Sequence, residues 1–201
     1  MKYKAILLFG APGSGKGTQG KVIGNILGFM HTSTGDLFRS LDKNSEMGKV
    51  FVQYSSKGQL VPDEFTVNLW LDAMKKLTEA GKLNPASDIL VMDGIPRSVK
   101  QAELLKDHVE VLKILSLDVS DMDKMVERLK KRALKEGRMD DADEKVIRNR
   151  FAVYEKETTP VLNCYSPALV ARVDALMSPI RVLEAIIKIL IPVREAVDAG
   201  R

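Results

Sequence analysis

The sequence predicts an α/β protein, a parallel five-stranded sheet covered by helices on both faces and built around a phosphate-binding loop. Three observations carry this. Ile6-Leu7-Leu8-Phe9 is an apolar run that enters a glycine-rich turn, Gly10 to Thr18, which in turn opens a helix. Apolar runs of strand length then alternate with longer stretches of helical period along the chain. The strongest of these runs lack the in-and-out alternation of a half-solvated strand, so they read as strands buried on both faces.

The first strand spans 4–9. The turn after it meets the pattern G-x-x-x-x-G-K from Gly10 to Lys16 but has Gly17 where Ser or Thr is usual, with Thr18 one place late. Glycine lets the backbone approach an anion closely, and the amides at the helix start then face it. Lys16 adds a point charge that reaches the outer phosphates of a nucleotide. The helix runs from 15 to about 27, and 28–33 forms a short second strand. His31, at its start, reads as structural, since no carboxylate or cysteine partner is visible beside it.

Thr34-Gly35-Asp36 starts the first of two short helices that reach about Ser56, and Lys57 to Pro62 returns the chain to the body. Residues 34–61 therefore read as a small helical insertion. Asp63 is placed to cap the next helix, whose core stripe is Val67, Trp70, Leu71, Met74 and Leu77. Trp70 on that stripe reads as packing rather than a stacking platform. After a loop over 78–88, Ile89 to Gly94 is a strand that ends in a carboxylate, Asp93. Ile95-Pro96-Arg97 makes a tight turn, 98–107 is helical, and 113–119 is a strand.

The helix over 122–134 is strongly basic, much of it a solvated face. A charged loop at 136–142 breaks it. The helix that follows carries Ile147, Phe151, Tyr154, Thr158 and Val161 on one face, flanked by Arg148 and Arg150, and ends near Leu162. Residues 168–173 give the last strand. A closing helix from Pro179 places Ile180, Leu183, Ile187 and Leu190 on its stripe and stops at Pro192, leaving 193–201 as a loosely held tail.

Composition narrows the function. The chain has 201 residues, 45% apolar and 29% charged, with a net charge of +4 and no run of five basic residues. That balance disfavours nucleic acid as partner and suits a phosphorylated small molecule held in one cleft. The single cysteine, Cys164, cannot form an intrachain disulfide; it fits a reducing, cytoplasmic setting and reads as a small packed residue. No Cys/His spacing suggests zinc. The apolar segment 185–193 contains Lys188 and Pro192, so no membrane span is expected.

Ligands of parallel sheets bind at the carboxyl ends of the strands. Phe9-Gly10 and Met92-Asp93 are two such ends, so the glycine loop and a carboxylate should meet, an arrangement suited to Mg²⁺ bridging phosphate oxygens. Arginines at 39, 97, 132, 138, 148 and 150 could surround two phosphorylated ligands and stabilise a transferring phosphoryl group.

The motifs together make a pattern. Gly10-Ala11-Pro12-Gly13-Ser14-Gly15-Lys16-Gly17-Thr18-Gln19, Ser33-Thr34-Gly35-Asp36-Leu37-Phe38-Arg39, Gly58-Gln59-Leu60-Val61-Pro62, Asp93-Gly94-Ile95-Pro96-Arg97 with Gln101, and Gly137-Arg138-Met139-Asp140-Asp141 stand in this order. The chain resembles the adenylate kinases, nucleoside monophosphate kinases of the short-lid form, over nearly its whole length. Gly17 is what that family has.

The resemblance implies one P-loop kinase domain over 1–201: a core of 1–32, 63–131 and 143–201, an AMP-binding insertion at 33–62 and a lid at 132–142. It implies ATP + AMP ⇌ 2 ADP with Mg²⁺ entering as Mg-ATP. Carried over, Gly13, Ser14, Gly15, Lys16, Gly17, Thr18, Arg128, Arg132 and Met177 bind ATP. Thr34, Arg39, Gln59, Leu60, Val61, Gly94, Ile95, Pro96, Arg97, Gln101, Arg138 and Arg150 bind AMP. Lys16, Arg97, Arg132, Arg138 and Arg150 are the catalytic cations, and Asp93 holds the metal through water. Asp140 and Asp141 orient lid arginines. By the same resemblance Thr34 and Gln101 favour AMP over UMP or CMP, and the short lid implies a monomer.

Three departures from the family stand out. The segment between Arg138 and the helix arginine is one residue longer, so Arg150 is the match with Arg148 as alternative. Met177 stands where glycine is common, and Ile95 is unusual in its turn.

Overall fold

The computed structural model describes residues 2–138 and 141–200. Met139 and Asp140, part of the lid motif, lie outside the described residues.

Five strands, β1 (Tyr3–Gly10), β2 (Phe29–Ser33), β3 (Ile89–Asp93), β4 (Val109–Asp118) and β5 (Val170–Asp174), form one sheet in the order β2-β3-β1-β4-β5. All four pairings are parallel. Among the described residues eight α-helices accompany them: α1 (Lys16–Ile23), α2 (Thr34–Arg39), α3 (Glu46–Ser55), α4 (Asp63–Glu79), α5 (Val99–Leu105), α6 (Met122–Glu136), α7 (Glu144–Val153) and α8 (Pro179–Ala199). The chain order β1, α1, β2 then β3 makes the strand order double back at β1, and the carboxyl ends of β1 and β3 lie side by side. That is the crevice where such sheets take ligands.

Alternate residues of β1 serve two cores, as the two-residue strand period requires. Ala5, Leu7 and Phe9 pack with Trp70 and Met74 of α4 and with Ala102 and Leu105 of α5. Ile6 and Leu8 pack on the other face with Ile23 of α1 and with Val182, Ile186 and Leu190 of α8. A third, smaller cluster, Met125, Val126, Leu129, Ile147 and Phe151, joins α6 to α7. Trp70 is packing, as its stripe suggested: it is fully buried, donates Nε1–H to Thr32 Oγ1 at 2.7 Å and meets Tyr3 edge to face.

Several boundaries differ from the sequence expectation. β4 begins at Val109 rather than near Lys113, because 109–111 pair with 3–5 before a bulge opposite Ala5 and Ile6 shifts the register. α1 stops at Ile23, and Leu27 beyond it is exposed. α7 is shorter than its apolar stripe and passes into a wide turn, Tyr154–Thr158, and a tight one, Thr159–Cys164. Cys164, at the end of that turn, is exposed rather than packed.

The tail is also helical, since α8 continues through Pro192 to Ala199. The proline costs a backbone bond, and anchoring beyond it offsets the loss. Val197 is buried, and Arg194 donates to the carbonyls of Gly28 and Ser87, both at 2.9 Å. The buried stripe of α8 is Val182, Ile186, Leu190 and Val197: of the expected stripe Leu190 is buried and Leu183 packs at its edge, while Ile180 is exposed. Asp63 does not cap α4. Pro62 takes that position, and the Asp63 carboxylate turns to α5.

Candidate active site

The glycine loop leaves β1 with Gly10 at φ +147°, Gly13 at +85° and Gly15 at +96°. Gly10 has no room for a side chain: a Cβ there would stand 2.6 Å from Ser14 Oγ and 2.7 Å from the Leu117 carbonyl. α1 starts at Lys16, so its free amides open onto the loop. Lys16 Nζ folds over the loop and donates to the carbonyls of Gly10 at 2.6 Å and Ala11 at 3.1 Å. Burial lowers the Lys16 ammonium from its ordinary 10.5 to about 8; Asp93 opposes this, and Arg97, Arg150 and Arg132 add to it.

Asp93 ends β3 directly beside the loop, and its Oδ2 lies 3.3 Å from where a Cβ on Gly17 would be. Burial pushes its carboxyl up, but His31, Lys16 and Arg97 outweigh that and hold it below the usual range. His31 Nε2 is buried 3.7 Å from Asp93 Oδ2, too far for a hydrogen bond. His31 sits in the middle of β2, and it has the carboxylate neighbour that was not visible in sequence, because β2 pairs with β3. Among the described residues no three His, Cys, Asp or Glu groups gather at one point. One ionised carboxylate beside an anion-binding loop fits a magnesium ion held mainly by phosphate oxygens and water.

Two cavities adjoin over the strand ends. The larger is lined by Gly13 to Thr18, with Asp93, Arg128, Arg132, Arg138 and Met177. Arg128 Nη1 donates to the Ala175 carbonyl at 3.1 Å, holding the turn that precedes Met177. The smaller is lined by Thr34, Arg39, Gln59, Leu60, Val61, Gly94, Pro96, Arg97 and Gln101. Phe38 and Phe51, stacked 5.1 Å apart, form an apolar wall of it. Lys16, Arg39, Arg97 and Arg150 line both cavities. Of the residues assigned to AMP by resemblance, Ile95 packs into the core instead of lining the smaller cavity, and Arg138 lines only the larger.

Gly94 at φ +83° turns the chain after Asp93, and its carbonyl collects two donors, Thr34 Oγ1 at 2.8 Å and Arg97 Nε at 2.8 Å. Arg97 also gives its backbone N–H to Gln101 Oε1 at 2.7 Å, and its carbonyl accepts from Thr158 Oγ1 at 2.8 Å. This ties β3, α2, α5 and the turn after α7 to the short segment from Gly94 to Arg97.

Asp141 is fully buried and joins two further arginines: Arg132 reaches Oδ2 through Nε at 2.7 Å, and Arg150 Nη1 donates to Oδ1. Arg148, two residues earlier on α7, faces away. It is more than half exposed and pairs with Glu144 and Asp123. Arg138 bridges Glu136 at 2.7 Å and Asp36 at 3.8 Å.

Asp36 has no role in the sequence reading, yet it also receives Arg39 at 2.6 Å and Lys21 at 3.6 Å. Its place three residues before Arg39 was the available signal. Lys131, read as solvated charge, and Lys135, which the sequence reading did not single out, join Arg128 and Arg132 at the larger cavity.

No described helix is long and apolar enough to cross a membrane. Residues 8–169 match the family model for adenylate kinase. The chain is 39% identical to an adenylate kinase of Phocaeicola vulgatus over 166 residues, 80% of this chain and 83% of the relative. It is 38% identical to that of Kocuria rhizophila over 191 residues, covering 92% and 97%, and 36% identical to that of Leptospira biflexa over 192 residues, covering 92% and 98%. A glycine loop beside a buried carboxylate, two cavities sharing four cations and agreement over most of the sequence lead to one assignment: the chain belongs to the adenylate kinase family.

Proposed function

We propose that this chain transfers the terminal phosphoryl group of ATP to AMP, reversibly, giving two ADP. The observation that carries this reading is the sharing of Lys16, Arg39, Arg97 and Arg150 by two adjoining cavities. Two nucleotides seated there direct their phosphates at one cluster of cations. Phosphoryl transfer asks for positioning and charge stabilisation and little covalent work from the protein.

ATP takes the larger cavity, with its phosphates on the amides of 13–18 and on Lys16 and its base between Arg128 and Met177. AMP takes the smaller one, with its phosphate on Arg39 and Arg97 and its base toward Gln101 and the backbone of 59–61. Arg132, Arg138 and Arg150 meet the phosphoryl group in flight. Asp93 would hold, through water, a Mg²⁺ that enters with the nucleotide, and that ion would supply charge neutralisation for the phosphoryl group.

Residues 33–62 serve as the AMP-binding insertion and 132–142 as a lid that excludes water when both nucleotides are in place. The protein acts as a cytoplasmic monomer; the lone cysteine supports the compartment and the short lid supports the monomer.

ADP formation from Mg-ATP with AMP, UMP, CMP and GMP in parallel, with Lys16→Ala as control, tests this. AMP-dependent turnover lost in the variant is expected. Preference for UMP or CMP would make the chain a pyrimidine nucleotide kinase on the same fold. ATP binding without transfer to any acceptor would make it a binding protein.

A further inference from the structure

Gln101, almost fully buried, is the amide assigned above to the acceptor base, and half of its hydrogen-bonding capacity is already committed. Its Oε1 accepts from the Arg97 N–H at 2.7 Å, and its Nε2 donates to Asp63 Oδ1 at 2.9 Å. An amide has two acceptor lone pairs and two N–H donors, so one of each remains for a ligand in the cavity that Gln101 lines. Asp63 belongs to α4, whereas Gln101 stands on α5. The same Asp63 oxygen accepts from Ser98 Oγ at 2.7 Å, and Ser98 Oγ accepts the Gln101 backbone N–H at 3.1 Å. The carboxylate is thus held against the start of α5 from two sides.

The two partners of the amide are of opposite kind. A carboxylate only accepts, and a backbone N–H only donates. Turning the Gln101 amide by half a rotation would set Oε1 against the Asp63 carboxylate and Nε2 against the Arg97 N–H, two buried mismatches of a sort that is costly. The remaining donor and acceptor therefore face the cavity in one order only. Adenine offers a 6-amino donor beside a ring-nitrogen acceptor. A 6-oxopurine offers the reverse, an acceptor beside a ring N–H donor. A freely turning glutamine would serve either; this one serves one.

We propose that Asp63 is a positioning residue for base selectivity: by holding Nε2 of Gln101 it fixes the donor–acceptor order that accepts a 6-aminopurine monophosphate and rejects a 6-oxopurine monophosphate. The proposal rests on Gln101 reading the acceptor base.

The test compares kcat/KM for AMP and IMP, which differ only along this edge, at saturating Mg-ATP. The proteins are the wild type, Asp63→Asn, Asp63→Glu and Gln101→Ala. The amide introduced by Asp63→Asn can offer Gln101 an oxygen or an N–H, so the AMP-to-IMP ratio is expected to fall about tenfold, the scale of one mismatched hydrogen bond. Asp63→Glu keeps an acceptor-only group and should retain most of the wild-type ratio. Equal losses on AMP and IMP in Asp63→Asn, with the ratio unchanged, would mean Asp63 is merely structural and would overturn the proposal.

A wild-type ratio in Gln101→Ala would overturn the base-reading assignment itself, and the proposal with it. Should Asp63→Asn fail to fold, the Gln101 side-chain amide in ¹⁵N-labelled wild type decides. One of its two proton resonances is expected to be shifted downfield and protected from solvent exchange by its bond to the Asp63 carboxylate, and two resonances at free-glutamine positions, both exchanging at the free rate, would overturn the proposal.

Discussion

Arg132 donates Nε to one oxygen of the fully buried Asp141 at 2.7 Å, and its Nη2 lies 2.6 Å from the same oxygen. The other Asp141 oxygen takes Arg150. One carboxylate thus sets the approach of two guanidiniums, one from α6 and one from α7. Asp141→Ala removes the carboxylate they share. Breaking one side of a buried ion pair typically costs about 3–5 kcal/mol, and the low end applies here because Arg132 and Arg150 keep part of their solvent contact. The expected outcome is a lower midpoint in urea unfolding together with a fall in kcat of at least tenfold. Asp141→Asn, which keeps the shape, should fall between this variant and wild type.

Arg148 and Arg150 are two residues apart on α7, which places them about 200° apart around a helix. Only one can face Asp141, and that one is Arg150; Arg148 is tied to Glu144 at 2.8 Å on the outer side. Arg150→Ala is therefore expected to lower kcat by roughly 10³-fold, the scale of a charge-stabilising arginine in phosphoryl transfer. Arg148→Ala should keep near wild-type turnover. Steady-state ADP formation at saturating ATP and AMP decides, and the reverse ranking would give the role to Arg148.

The same comparison explains what was legible before the fold was known. The glycine loop, the strands at 4–9 and 89–94 and the carboxylate at 93 are local signals, and each fell within a residue or two of its expected place. Relations set by the sheet were not legible. His31 meets Asp93 only because β2 pairs with β3, and Asp63 meets Gln101 across a separation of 38 residues. The length of α8 was hidden for a related reason. Pro192 is a strong local stop, and what overrides it, Arg194 reaching the Gly28 carbonyl, lies 166 residues away in sequence. Which of two nearby arginines faces inward needed the rotation of α7, which the spacing of motifs along the sequence does not supply.

Gly94 supplies a sharp test of the smaller cavity. Its φ of +83° is one that L side chains rarely adopt, and a Cβ would stand 2.6 Å from Arg97 Nη2 and 2.8 Å from Thr34 Oγ1. Gly94→Ala must displace the guanidinium and the hydroxyl that together grip the Gly94 carbonyl. KM for AMP is expected to rise by at least tenfold, with a much smaller change in KM for ATP. Equal effects on both nucleotides would point to global damage, which a thermal melt would reveal.

Lys16 links charge to pH in two opposite ways. Burial is the main cause of its lowered value, about 8 against an ordinary 10.5, with Arg97, Arg150 and Arg132 adding to it and Asp93 opposing. In the free protein the ammonium proposed to meet the nucleotide phosphates is thus lost as pH rises through about 8. Because kcat/KM reports groups of the free enzyme, kcat/KM for Mg-ATP should fall about tenfold per pH unit above that point. kcat should hold to higher pH, since bound phosphates favour the charged lysine. Lys16→Arg, whose guanidinium stays protonated, should lose this limb even at a reduced rate.

Stability moves the other way. Between about 8 and 10.5 the unfolded chain holds a proton on this lysine that the folded chain has released, so its contribution to stability rises with pH across that window. Urea unfolding of the ligand-free protein at several pH values, wild type against Lys16→Met, should show that rise in the first and lose it in the second. A descending activity limb that persists unchanged in Lys16→Arg would assign the titration to another group.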